Sequence, residues 1–268
     1  MSLASLPMYD LPALRPAAET WWCGLAAACR AEGLEDVPEA LEWPGDPRDH
    51  WRVPELLFSQ TCGFPLMTAF RDSVSVIATP CYSAEGCSGP FYSSALVVRQ
   101  EDPARDLGDL RGRRAAFNSR DSQSGYNVLR ALVAPLAGGE SFFTATVETG
   151  GHGASLDAVA EERADIAAVD CITFAAHRRH RPAVTDGLRV LAYGPSTPGL
   201  PYVTAAGRSE DELLRLREAL YEALADPGLA GAREALLLTG ASVLPEDAYE
   251  VILEMRDEAI AKGYADLR

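Results

Sequence analysis

The chain has 268 residues, 47% hydrophobic and 24% charged, with a formal net charge of −15. It can therefore bury a sizeable core, as one large domain or two smaller lobes. That charge argues against nucleic acid or an anionic membrane as partner, since both are bound through clustered Lys and Arg; any anion must be held by local groups. No uncharged apolar run approaches the ~20 residues that cross a bilayer, and the most apolar stretch, Trp21 to Cys29, lies between Glu19 and Arg30.

The N-terminus, MSLASLPMYDLPALRP, lacks a basic leader followed by an apolar core, so the chain as written reads as cytoplasmic; removal of a leader would make a periplasmic protein look the same. Residues 4–9 read as a strand and 13–31 as a helix whose Trp21 and Trp22 face the core. A short apolar run at 40–43 and ELLFSQ (55–60) come next. SVSVIATP (73–80) and FYSSALVVR (91–99) are rich in β-branched and aromatic residues and read as strands. The same alternation then returns: strand 114–118, helix 124–136, strand 142–149, helix 154–163 and strand 165–170. Strand patterns at 188–194 and 200–207 precede three helical patterns at 210–225, 229–238 and 245–263. Two α/β sets and a helical tail imply two lobes, joined by extended crossings near 95–100 and 191–203, with the tail on the first lobe.

Six cysteines (Cys23, Cys29, Cys62, Cys81, Cys87, Cys171) form no zinc-like CxxC pair, and four histidines (His50, His152, His177, His180) form no ligand cluster. No metal or cofactor is expected. Cys81 and Cys87 have the spacing for a small disulfide loop, although a reducing cytosol favours free thiols. Arg178, Arg179 and Arg181 around His180 form the only dense basic run and fit a solvated helix end.

The stretch FNSRDSQSGYNVLR (117–130) places small polar residues and a glycine between a strand end and an amphipathic helix. Two readings are open. Asp121 or Ser122 caps the helix and Gly125 permits close packing; or the hydroxyls and first-turn N–H groups cradle an anion. Similar ambiguity attends Thr61, Cys62 and Gly63 at a second strand-to-helix turn. Asp170 is either a helix N-cap or an acceptor for a protonated phosphate oxygen or an amine. Tyr92 is either a core tyrosine or a ligand contact.

TCGFPL (61–66), FYSSALVVR, LGDLRGRRAAFNSRDSQSGYNVLR (107–130), ETGGHGASLDAVAEERADIAAVD (148–170) and TPGLPYVT (197–204) together resemble the phosphate/phosphonate-binding proteins of ABC transporters, in the type II periplasmic binding-protein superfamily. The resemblance implies a two-lobed α/β Venus-flytrap fold with two hinge crossings and a C-terminal helical segment on lobe 1. Lobe 1 is then 1–99 plus 193–268 and lobe 2 is 100–192, with the ligand cleft between them. It further implies that Ser122, Gln123, Ser124, Gly125 and Tyr126 hold an oxyanion. His152 contacts it from the Gly-Gly-His-Gly turn, and Asp170, Tyr92, Thr61, Cys62 and Gly63 complete the ligand-binding set. In some phosphonate binders three consecutive hydroxyl residues stand where this chain has Ser122, Gln123 and Ser124, so an amide replaces one hydroxyl. With its unperturbed pKa near 6.5, His152 would make anion affinity rise as pH falls through neutrality.

The function implied is a non-catalytic solute-binding protein for phosphate, phosphonate or phosphite. It acts by lobe closure, read by a transporter's membrane component or a sensor protein. The alternative is a cytosolic sensor or an enzyme domain on the same fold, with a cysteine-dependent activity.

Overall fold

A computed structural model describes residues 2–268. Along the chain the elements are β1 (Leu3–Ala4), α1 (Arg15–Ala31), α2 (Pro47–His50), β2 (Leu56–Gln60), α3 (Gly63–Met67), β3 (Val74–Tyr82), β4 (Phe91–Tyr92) and β5 (Ser94–Arg99). There follow β6 (Arg114–Phe117), α4 (Val128–Ala137), β7 (Ala145–Glu148), α5 (His152–Ala160), β8 (Ile166–Asp170), α6 (Cys171–His180), α7 (Pro182–Thr185) and β9 (Leu188–Tyr193). The last are β10 (Thr197–Pro198), β11 (Tyr202–Ala205), α8 (Glu210–Ala225), α9 (Ala230–Ala235), β12 (Leu238–Ser242) and α10 (Glu250–Ala261).

The chain divides into two compact units. Unit 1 comprises Met1–Ser83, Ser88–Pro90 and Pro198–Glu246; unit 2 comprises Ala84–Cys87, Phe91–Thr197 and Asp247–Arg268. In unit 1 a five-stranded sheet runs in the order β1-β2-β11-β3-β12. The helix α1 buries Trp21, Trp22, Leu25 and Cys29, at three- and four-residue spacing, in a core shared with Leu216, Ala219 and Leu220 of α8. Both tryptophans are core residues, as the periodicity implies. The expected helix at 229–238 is cut short at Ala235, because Leu238–Ser242 pairs antiparallel with β3.

Unit 2 has its own sheet, in the order β7-β6-β8-β5-β9. The three strands β7, β6 and β8 run parallel, and β5 is antiparallel to both β8 and β9. This pairing moves the division away from the expected boundaries at 99/100 and 192/193: β5 lies between β8 and β9 inside the second sheet, with β9 at its edge, so the chain has changed unit by Phe91 and returns after Thr197. The tail also differs from expectation. While α8 and α9 belong to unit 1, α10 belongs to unit 2, where Ala259, Tyr264 and Leu267 join the core of Leu129, Val133 and Phe142. Residues 142–144, expected as strand, stay outside β7 because Phe142 and Phe143 turn into that core, edge to face.

Among the described residues no helix is long and apolar enough to cross a membrane, and no group of three or more His, Cys, Asp or Glu is arranged to hold a metal ion.

Candidate functional site

Three parallel strands set the frame of the site. Because β6, β7 and β8 lie side by side in one direction, the segments leaving their C-terminal ends start at the same edge of the unit 2 sheet. Each leads into a helix: residues 118–127 into α4, Thr149–Gly151 into α5, and Asp170 directly into α6. Helix N-termini bring unpaired N–H groups and partial positive charge, and at the carboxyl ends of parallel strands they form the usual ligand edge of an α/β sheet.

The 117–130 stretch turns out to hold both a cap and a hydroxyl directed at His152. Residues Gln123–Asn127 form one wide π-type turn before α4, with Asn127 N donating to Ser122 O at 3.0 Å. Ser122 is the cap: its Oγ accepts from Gly125 N at 3.0 Å. Ser124 points elsewhere, its Oγ lying 3.0 Å from His152 Nε2. Gly125 is required by space, since a Cβ there would fall 1.9 Å from Asn118 Oδ1 and 3.2 Å from His152 Cε1. Gln123 and Tyr126, expected in the anion cradle, are engaged inside unit 2. The Gln123 amide accepts from Asn127 Nδ2 at 2.7 Å and donates toward Met255 Sδ at 3.6 Å. The Tyr126 hydroxyl accepts from Leu267 N at 3.1 Å and donates to Asp266 at 3.2 Å, fastening the C-terminal tail. The reason is α10 and the tail, which sequence periodicity assigns to the wrong unit.

His152 is the first residue of α5. Its N-cap position is Gly151, in extended conformation, and no side chain caps this helix start. Burial and the neighbouring His177 push its pKa down to about 4, although part of the residue stays exposed. At neutral pH the ring is therefore neutral, which corrects the expected titration through neutrality. Its Nδ1 is buried with no hydrogen-bond partner among the described residues, as is Asn118 Oδ1. His177 is itself lowered by burial and by Arg181, whose guanidinium pairs with Asp157 at 2.9 Å.

Asp170 acts as a cap. Its Oδ1 accepts from Ile172 N at 2.8 Å and Thr173 N at 3.0 Å, so the start of α6 already carries an anion. Of the three helix starts at this edge, α6 is closed by a carboxylate and the turn before α4 is partly closed by Ser122. The start of α5 is the one without a side-chain cap. Tyr92 is buried in β4. In unit 1, Thr61 is buried, its N–H donating to Pro201 O at 3.1 Å, and Cys62 precedes the five-residue α3 that begins at the buried Gly63. Asn118 and His177 join this region only through the fold. Asn118 stands in the quoted stretch, but only the fold aims it at Gly125.

A family model described as "ABC transporter, phosphonate, periplasmic substrate-binding protein" matches residues 57–249, well over half of the chain. The chain belongs to this family. Solved structures agree in fold. A binding protein component of an ABC phosphonate transporter from Pseudomonas aeruginosa superposes with a TM-score of 0.79 at 16% identity, over 97% of this chain and 87% of that one. PhnD1 from Prochlorococcus marinus, in complex with methylphosphonate, gives 0.73 at 16% identity over 97% and 98%. XAC2383 from Xanthomonas citri, bound to chloride ion, gives the same score, identity and coverage. No curated protein matches in sequence. The two-lobed periplasmic-binding-protein architecture expected from the motifs is thus the fold of this chain.

Proposed function

We propose that this chain binds a small oxyanion of the phosphonate class without changing it chemically, as the solute-binding component of an ABC-type transporter whose membrane component is its partner. The observation that carries the reading is the start of α5: a helix N-terminus with no side-chain cap, bearing His152, whose Nε2 lies 3.0 Å from the Ser124 hydroxyl. An oxyanion there would accept from first-turn N–H groups and from Ser124. These fixed dipoles cost less to desolvate than a buried Lys or Arg. Ser122 supports the cradle by capping Gly125, and Asn118 and Gly125 shape its floor. Tyr92 and the Thr61–Gly63 turn are the further contacts proposed, each to be tested by its own variant, whereas Asp170 is taken as the cap of α6. Action in the periplasm accords with the family's description, and cell fractionation tests it.

The Ser124–His152 pair gives a catalytic reading a specific footing, because a hydroxyl 3.0 Å from an imidazole is how a nucleophile and its base are placed. Two features favour binding instead. No carboxylate orients His152 Nδ1 among the described residues, and a pKa near 4 makes the ring a poor base at neutral pH.

The deciding experiment is calorimetry with methylphosphonate, phosphate, phosphite and sulfate, with the ligand recovered intact afterwards. Ser124→Ala removes a hydrogen bond to a charged group, costing about 1.5–3 kcal/mol, or roughly one to two decades of affinity. Unchanged affinity in Ser124→Ala, or turnover of a phosphate or phosphonate ester that requires Ser124, would overturn the reading.

A further inference from the structure

All six cysteines are thiols in the structure, but two of them meet. Cys87 ends the short segment Ala84–Cys87 that packs with unit 2, and Cys171 opens α6. Their sulfurs lie 3.5 Å apart although 84 positions separate them in sequence. The fold builds this approach. Cys87 N donates to Ala84 O at 3.0 Å, closing a tight turn. Between them Gly86, at φ +94°, lies so near that a Cβ would sit 2.9 Å from the Tyr193 ring and 3.1 Å from Cys171 Cβ. Cys171 N donates to Ser93 O at 3.3 Å, fixing the other wall. Cys81, which local spacing pairs with Cys87, is instead set beside Ser242 on β12, at 3.9 Å.

We propose that Cys87 and Cys171 are the site of an intramolecular disulfide, formed by exchange with a small disulfide oxidant. The bond needs sulfurs about 2 Å apart, so the pair must close by roughly 1.5 Å, within reach of side-chain rotation and a small shift of the 84–87 turn. Cys87 is the more exposed of the two and attacks first. Its thiolate displaces one thiolate from the oxidant, giving a mixed disulfide. Cys171 then loses its proton to solvent and attacks the Cys87 sulfur, expelling the second thiolate. In sum, two protein thiols and one oxidant disulfide become one protein disulfide and two small thiols. The hydrogen bond with Cys87, burial and Asp170 all hold Cys171 protonated before that second step.

The test treats the folded, full-length protein with oxidised glutathione, blocks remaining thiols after unfolding, and maps peptides without reduction. A Cys87–Cys171 cross-linked peptide pair, two hydrogens lighter than the sum of its thiol forms, is expected. So is a melting temperature raised by roughly 5 °C or more and returned by dithiothreitol, because the closed loop is long. Cys81→Ser should keep the cross-link and Cys87→Ser should lose it. Full alkylation of both Cys87 and Cys171 after oxidation, or a Cys81–Cys87 link in their place, would overturn the proposal.

Discussion

Acidification of the ligand-free protein tests the environment of His152 directly. The folded-state pKa is about 4, against 6.5 for an unperturbed ring. The unfolded chain therefore binds more protons between these values, and stability present above pH 6.5 is lost as pH falls toward 4. Linkage over the interval from pH 7.5 to pH 5 gives a loss of about 2 kcal/mol, an upper figure because part of the residue remains exposed. His177, also lowered, adds in the same direction. Asp165 does not interfere. Arg114 and Arg99 hold its carboxyl well below the usual range, so its contribution persists until pH drops under about 4. Calorimetric melts in phosphate-free buffer across this interval, for wild type and His152→Asn, isolate the effect. The wild type should lose several degrees more than the variant, at about 2–4 °C per kcal/mol. Parallel pH profiles for the two proteins would refute a neutral, partly buried His152 and with it a site without fixed positive charge.

Two further substitutions separate the parts of the sheet edge. Gly125→Ala places a methyl group on the Asn118 side chain and should lower stability by about 1–3 kcal/mol while weakening anion binding, read by chemical denaturation and calorimetry. Asp170→Ala removes two cap bonds at the start of α6 and should cost about 0.5–2 kcal/mol of stability; oxyanion affinity within a factor of three of wild type is expected, and a loss of tenfold or more would make Asp170 a ligand contact.

Much of this architecture is legible in the sequence, for reasons that are local. Strand-to-helix turns announce themselves by composition, and the turns after Phe117 and Glu148 and at Asp170 lie where their polar and glycine residues place them. What a local reading cannot reach is the far partner. Periodicity shows that 245–263 has an apolar face but not which core receives it, and the destination of α10 decides what Gln123 and Tyr126 do: the amide meets Met255 and the hydroxyl meets Asp266 and Leu267. Ser122 and Ser124 are alike in sequence and opposite in role, because in the wide turn one side chain folds back on Gly125 N while the other reaches His152. The pKa of His152 depends on His177, 25 positions away, and Cys87 finds its neighbour 84 positions away rather than at Cys81.

An acidic protein that takes up an anion faces repulsion from its own net charge, and the geometry of unit 2 suggests how the two are compatible. Charges farther than about 8 Å are largely screened at physiological salt, so the −15 acts weakly at any one point. The start of α5 offers N–H dipoles and a neutral ring, while the Asp170 carboxyl at the same sheet edge is bound to the first turn of α6. Leaving α5 without a side-chain cap sacrifices only about a few tenths of a kcal/mol relative to a Ser, Asp or Asn at position 151, because glycine is itself a tolerated N-cap. Local rules are broken in this way where function calls for it: a side-chain cap would compete for the same donors, whereas Gly151 would leave them to the oxyanion proposed for this helix start.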